Sequence, residues 1–394
     1  MLTTAQRDII KATVPLLETG GEALTRHFYA TLIQDNPEVR TFFNQAHQAD
    51  GSQQRALARA VLMYARHIDR LEALGPLVSQ IVNKHVALQI QPAHYPIVGA
   101  CLLRAIREVL GQEIATDAVL DAWGQAYTQL ADLLIEAEAS RYHATEIAPG
   151  GWRGARAFVV ARKERESSEI TSFYLQPADG LPVVAHAPGQ YIGLTIDIAG
   201  ESHRRNYSLS AAQDGQQLRI SVKREAGGVV SVHLHDHVRV GDTLQVFPPA
   251  GDFTLRDASR PLVLLTAGVG ITPAIAMLQA APLSRDVTFI HCARNGAVQS
   301  FDAWIQEQGA KRAHFDYYVC LSEPAADDAC DARGQLNAAT LAAWLPASRD
   351  VDVYFLGPIS FMAAMKRQLR DLGIPEAQTY FEFFGPARAL DALE

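Results

Sequence analysis

Cysteine is scarce in this chain of 394 residues, and the four present stand apart. Cys101, Cys292, Cys320 and Cys330 form no C-x-x-C pair, so no disulfide framework is expected and buried thiols in a reducing compartment are. Positive charge is also short: 35 Lys and Arg against 43 Asp and Glu leave a formal net charge of −8. With no basic stripe interleaved with aromatics, a general nucleic-acid binder, which lives on phosphate neutralisation, is disfavoured. Long apolar runs are lacking as well. The most apolar stretch, Pro261 to Leu278, is broken by Gly268, Gly270 and Pro273, and reads as a buried strand, a glycine turn and a helix start. The opening residues Met1-Leu2-Thr3-Thr4-Ala5-Gln6-Arg7-Asp8 carry no basic region ahead of an apolar run, so no signal peptide or stable membrane insertion is expected, and a cytoplasmic protein is.

What is present divides into three patterns, as the length leads one to expect. Residues 3 to about 145 lack β-branched alternation and are helical throughout. Thr3 or Thr4 can cap a first helix containing Ile9, Ile10, Thr13 and Leu17. Leu24, Phe28, Leu32 and Ile33 mark a second, closed by Asn36-Pro37, and amphipathic runs follow at 53–69, 72–88, 95–110 and 117–142. After the linker signal Pro149-Gly150-Gly151-Trp152, short β-branched or aromatic runs appear at Arg156–Lys163, Ile170–Gln176, Tyr191–Ile198, Arg205–Leu209 and Leu218–Lys223. Separated by Asp, Gly and Pro, they predict an antiparallel barrel. Beyond Asp257-Ala258-Ser259-Arg260, the runs Val263–Thr266, Val287–His291, Phe315–Val319 and Val353–Leu356 alternate with helical stretches and predict a parallel sheet with crossover helices. The expected domains are 1–147 (all-α), 152–258 (antiparallel β-barrel) and 259–394 (α/β).

Three segments carry the chemistry of the last two domains. Arg205-Asn206-Tyr207-Ser208 at a strand end supplies a ring to pack on an isoalloxazine, a hydroxyl for its N5 edge and a guanidinium for pyrophosphate. Pro188-Gly189-Gln190-Tyr191 adds a second aromatic, and Lys223-Arg224-Glu225 with Gly227-Gly228 and Ser231 offers backbone N–H groups and positive charge. Gly268-Val269-Gly270-Ile271-Thr272-Pro273 follows an apolar strand directly, so its backbone can approach a diphosphate while the next helix points its positive end at the anion. The six-residue dinucleotide fingerprint is absent, and glycine at a strand–helix turn is by itself unspecific.

In order, these segments resemble the ferredoxin–NADP reductase family, with its R-x-Y-S flavin motif and G-x-G-x-T-P nicotinamide turn. Phe381-Glu382-Phe383-Phe384-Gly385-Pro386 matches the part that closes over the flavin in that family. One departure is Leu356 in Phe355-Leu356-Gly357-Pro358, where many relatives carry cysteine near the nicotinamide.

In the helical third, His85 in Asn83-Lys84-His85 is the candidate metal ligand, although a histidine in an amphipathic helix is more often an ordinary surface or core residue. Its surroundings resemble a globin haem pocket. The resemblance implies Tyr29 and Gln53 above the sixth coordination position, Phe43 wedging the porphyrin and Leu57 on the same helix face as Gln53. Tyr95 and Glu138 match a hydrogen-bond relay to the proximal histidine, which strengthens the ligand and favours O–O chemistry over oxygen carriage.

Globin plus reductase over essentially the whole chain resembles the flavohaemoglobins. The resemblance implies haem b, FAD and NADH or NADPH as cofactors, O2 and NO as substrates, and nitric oxide dioxygenase activity. Lys84 and Glu382 would lie between flavin and haem and tune them. A monomer is expected, with lipid in the distal pocket compatible. Three other readings are a reductase of alkyl or lipid hydroperoxides at the same haem, for which Ala56 and Ala60 would leave room, an oxygen or NO sensor or store, and a flavin reductase whose helical domain holds no haem. Arg294, after the strand Val287–His291, can contact a 2′-phosphate or stand as a solvated loop residue.

Overall fold

Thr3 starts the chain's first helix by a reciprocal cap: its hydroxyl accepts from Gln6 N (3.2 Å) while Gln6 Oε1 accepts from Thr3 N (2.9 Å). The structure, a computed structural model, describes residues 2–42, 52–257 and 259–382, and only the backbone at 38, 40, 41, 52, 53 and 76. Phe43, Phe383, Phe384, Gly385 and Pro386 therefore lie outside the described residues, as does the side chain of Gln53. The chain divides into two compact units, the first ending at Glu146 and the second starting at Ile147.

The first unit holds α1 (Thr4–Ala12), α2 (Val14–Asp35), α3 (Ser52–Arg66), α4 (Gly75–Leu88), α5 (His94–Ile114) and α6 (Asp117–Ile147). The second helix begins at Val14, earlier than its apolar pattern, because Pro15 fits the first turn and Gly20-Gly21 break the periodicity without breaking the helix. Tyr29 sits inside α2, as that pattern implies. Phe28, Leu32, Ile10, Leu102 and Trp123 share one core. Small residues set the crossings. A Cβ on Gly21 would meet Ala58 Cβ at 3.5 Å, and one on Gly99 would meet the Tyr127 ring at 2.6 Å.

The second unit opens with β1 (Arg156–Arg165), β2 (Ile170–Pro177), β3 (Tyr191–Ile198), β4 (Glu201–Ser208), β5 (Leu218–Lys223), α7 (Val229–Asp236) and β6 (Thr243–Val246). Antiparallel pairing gives the order β4-β3-β6-β1-β2-β5. The two edges meet through the Leu209–Ile220 bridge and the Ser210 N to Arg219 O bond (2.8 Å), which closes the barrel. Phe158, Phe173, Leu175, Ile192 and Leu194 fill it.

The parallel sheet follows: β7 (Leu262–Ala267), α8 (Ile271–Ala280), β8 (Val287–Ala293), α9 (Asp302–Gly309), β9 (Phe315–Leu321), β10 (Ala332–Arg333), α10 (Ala338–Trp344), β11 (Asp352–Leu356), α11 (Ile359–Asp371) and β12 (Thr379–Phe381). Its order is β10-β9-β8-β7-β11-β12, so the winding reverses between β7 and β11. The carboxyl ends of those two strands form the crevice where open α/β sheets hold ligands. Barrel and sheet share a core at one seam. Phe253 is buried among Leu264, Met277 and Tyr354, its ring 5.6 Å from that of Tyr354. Opposite it, a Cβ on Gly189 would lie 2.0 Å from Phe253 O and 2.6 Å from Met277 Cε.

Candidate functional site

The C-terminal half of α4 presents His85, which keeps 30% of its side chain exposed while its partner Glu138 keeps 3%. Glu138, on α6, accepts at Oε1 from His85 Nδ1 (2.7 Å) and from the Tyr95 hydroxyl (2.5 Å), with Tyr95 OH 3.1 Å from the same Nδ1. A carboxylate can only accept, so Nδ1 is the donor in this contact, which leaves Nε2 as the ring nitrogen that can present a lone pair. Nε2 makes no hydrogen bond among the described residues, and a neutral imidazole with one free lone pair is what an axial metal ligand requires. Burial, and after it the Glu138 carboxylate, pushes the Tyr95 phenol well up, so it stays a donor. Two further tyrosines brace the group. Tyr127 OH donates to Tyr95 O (2.6 Å), and Tyr142 OH donates to Ile90 O (2.9 Å) and His85 O (3.3 Å). Sequence reasoning missed Tyr142, although it stands four residues after Glu138 on the same helix face.

Tyr29 on α2 is 8% exposed, and burial raises its phenol pKa well above the ordinary value, which keeps the hydroxyl protonated. It lines a concavity of about 580 Å³ with Arg26, Ala30, Ile33, Gln34, Pro37 and Gln54. Gln53 lies in the first turn of α3. Its neighbour Gln54 is 5% exposed, with a backbone carbonyl that accepts from Thr25 Oγ1 at 2.8 Å. Leu57 packs against the helical core. Ala56 is exposed and Ala60 is half-buried. Lys84 is exposed on α4 beside His85.

In the barrel, pairing of β3 with β4 sets Tyr191 opposite Ser208, Ile192 opposite Tyr207, Gly193 opposite Asn206 and Leu194 opposite Arg205. The motif strand starts at Glu201, four residues before the expected Arg205, because β3 offers hydrogen bonds to the polar stretch Glu201–Arg204. Burial raises the pKa of Tyr207 and of Tyr191, and nearby Glu382 pushes Tyr191 further. The Tyr191 ring fills the place of a Cβ on Gly251, 2.8 Å from that position. Arg205 donates to Arg204 O (2.7 Å), and Asn206 is exposed.

The phosphate cradle differs from expectation in its charge. Lys223 pairs with Glu225 (2.8 Å) and Arg224 with Asp236 (2.7 Å), so neither cation is free. What remains is the amino end of α7. Gly228 caps it without a side-chain hydrogen bond, Gly227 has φ +74°, and Ser231 Oγ accepts from Glu225 N (3.2 Å). A bare helix amino end is a fitting anion seat.

At the sheet crevice, Gly268 adopts φ +54° and Gly270 leads into α8 with no side-chain cap. A Cβ on Gly270 would meet Leu356 C and O at 2.6 Å and Gly357 N at 2.8 Å. Glycine is therefore required there by the close approach of the β11 end. Val269 is half-buried, while Ile271, Thr272 and Pro273 are buried, and Thr272 Oγ1 donates to Val269 O (3.0 Å), which stiffens the turn. Leu356 is 1% exposed, packed beneath this turn. Below it, Thr266 and the fully buried His291 are register partners joined at 2.9 Å, and burial lowers the His291 pKa to about 4. Arg294 is held by Glu169 from the turn before β2, a partner that sequence spacing does not reveal.

Three domain families match in succession. The globin family covers residues 26–134, the oxidoreductase FAD-binding domain 157–255 and the oxidoreductase NAD-binding domain 264–367. A protein named Flavohemoprotein from Pseudomonas aeruginosa is 65% identical over 393 residues, covering 100% of both chains. Another of that name from Halalkalibacterium halodurans is 44% identical, covering 99% of this chain and 98% of its own. Among solved structures, a flavohemoglobin from Malassezia yamatoensis with bound FAD and heme aligns at TM-score 0.84 and 27% identity, covering 98% of this chain and 100% of that one. The FAD/NAD-binding domain of a nitric oxide dioxygenase from Vibrio cholerae aligns at 0.56 and 38%, over 59% of this chain and 100% of its own.

Proposed function

Because this chain belongs to the flavohaemoprotein family, we propose that it is a nitric oxide dioxygenase, turning NO and O2 into nitrate with electrons from NAD(P)H. It is an NAD(P)H-dependent oxidoreductase whose cofactors are haem, FAD and the nicotinamide nucleotide. The residues present fit all three: an imidazole with a free Nε2, a ring-bearing strand beside an uncapped helix, and a glycine turn at the sheet's reversal point. When bound, haem supplies one-electron and dioxygen chemistry, and FAD splits the two electrons of a hydride into single steps. A hydride carries two electrons and each NO-to-nitrate conversion consumes one, so one nucleotide serves two NO and two O2 and releases one proton.

The observation that carries this reading is the buried carboxylate on the Nδ1 side of His85. It holds the ring in one orientation and raises its basicity, which suits O–O chemistry better than carriage. Tyr29, its hydroxyl kept protonated, is the donor for negative charge that develops on oxygen, with Gln53 as the second donor. Phe43 and Leu57 take the role of packing against the porphyrin. Tyr191, Arg205, Asn206, Tyr207, Ser208 and Ser231 are assigned to the flavin, as are Phe383, Phe384, Gly385 and Pro386. Gly268 to Pro273 are assigned to the nucleotide, and Lys84 and Glu382 to redox tuning. Neither a hydroperoxide reductase nor a gas store has an observation of its own in favour. NO consumption under air with NADH, read together with nitrate, tests the reading, and NO loss without nitrate refutes it.

A further inference from the structure

We propose that Glu169 is a specificity residue that turns the nucleotide site against the 2′-phosphate of NADPH, so that the enzyme selects NADH. The inference rests on nucleotide binding at the Gly268 turn and on nothing about NO. In βαβ nucleotide sites the adenosine ribose is read near the end of the strand after the glycine-turn helix. A carboxylate there holds the 2′-hydroxyl, whereas an arginine accepts a 2′-phosphate. Here that place is Arg294, one residue past β8, and alone it predicts NADPH. Its guanidinium is already occupied. It pairs with Glu169, and that bond and charge, then Glu323 and Glu225, hold it in its charged form. Glu225 is matched by Lys223, so the local excess of negative charge comes from Glu169 and Glu323, whose backbone N–H donates to Arg294 O at 2.7 Å.

Glu169 is held in place by backbone on both sides. Ser167 Oγ accepts from Glu169 N (3.3 Å) and Ile170 N (3.2 Å), and Glu169 O accepts from Arg224 N (2.8 Å). Ser168 N donates to Ala297 O (2.9 Å), fastening this turn to the loop after Arg294. The pair is part-exposed, 53% at Arg294 and 30% at Glu169, so it adds little to the fold. Its effect falls instead on the difference between two ligands: an incoming phosphate dianion must displace a fixed carboxylate and then sit beside it.

The test is flavin reduction in the full holoprotein, mixed rapidly with NADH or NADPH under argon. The wild type is expected to favour NADH. Glu169→Gln is expected to raise the NADPH-to-NADH ratio of second-order rates by about tenfold or more, the scale of removing one adjacent charge. Adding Arg294→Gln to that variant should reverse the gain, while a merely structural turn would move both nucleotides together. A wild type favouring NADPH, an equal shift for both nucleotides, or a gain that survives loss of Arg294 overturns the proposal. Absence of nitrate in the NO assay would leave it standing, because flavin reduction is read without NO or O2.

Discussion

Glu138→Gln preserves shape and an acceptor oxygen but removes the charge beneath His85. In the native protein one carboxylate oxygen takes both contacts, 2.7 Å to His85 Nδ1 and 2.5 Å to Tyr95, in a side chain only 3% exposed. Hydrogen bonds to a charged group contribute about 1.5–3 kcal/mol against about 0.5–1.5 for neutral pairs, so roughly 1–1.5 kcal/mol is lost on the imidazole side. The lost charge favours oxidised over reduced iron, so its removal raises the haem midpoint. At about 59 mV per 1.4 kcal/mol for one electron, the rise is roughly 40–65 mV. Turnover should fall about 10- to 100-fold, as for other outer-shell partners of metal-bound histidine. A spectroelectrochemical titration of purified protein at matched haem content reads the midpoint directly. An unchanged midpoint, or a downward shift, at full haem occupancy would refute the claim that Glu138 acts through His85.

Tyr29→Phe removes the buried hydroxyl while keeping the ring, and should speed O2 dissociation about 10- to 100-fold, the loss of one bond to a charged acceptor; flash photolysis or rapid mixing with CO checks it. Gly270→Ala drives a methyl into the backbone of Leu356 and Gly357, so about 1–3 kcal/mol of stability and most NADH-driven flavin reduction should be lost while bound FAD remains. The measurement is flavin content against reduction rate. His291 is neutral and buried, with its pKa lowered from 6.5 to about 4. Below 6.5 the unfolded chain takes up a proton that the folded one refuses, so stability, fully present above 6.5, is lost as pH falls toward 4, by roughly 3 kcal/mol. Melting curves across that window should show the slope, and His291→Asn should flatten it.

The succession of helix, antiparallel barrel and parallel sheet was legible because each has its own apolar period, and the motif segments fall on the elements expected of them. Element starts were less so. Gly20-Gly21 hid the first half of α2, and Glu201–Arg204 carries no apolar alternation, so only pairing with β3 makes it a strand. In the site, His85 and Glu138 lie 53 positions apart, and no spacing rule brings them to 2.7 Å; likeness to globins alone joined them beforehand. The charges of Lys223 and Arg224 look free in sequence and are consumed by Glu225 and Asp236 in space. Glu169 sits 125 positions from Arg294, and a lone carboxylate in a turn gives no hint of the guanidinium it meets.

Gly189 and Phe253 have a practical consequence for anyone exchanging reductase parts between relatives. A junction cut in the loop near Asp257 would look clean by sequence, yet it separates a glycine and a benzyl ring from the methionine and tyrosine that pack on them. A transplanted nucleotide lobe with bulkier counterparts of Met277 or Tyr354 would press the flavin lobe off its seat and lengthen the hydride's path. Chimaeras should therefore carry all four positions together, and a hybrid that splits them is expected to bind both cofactors and still transfer slowly between them.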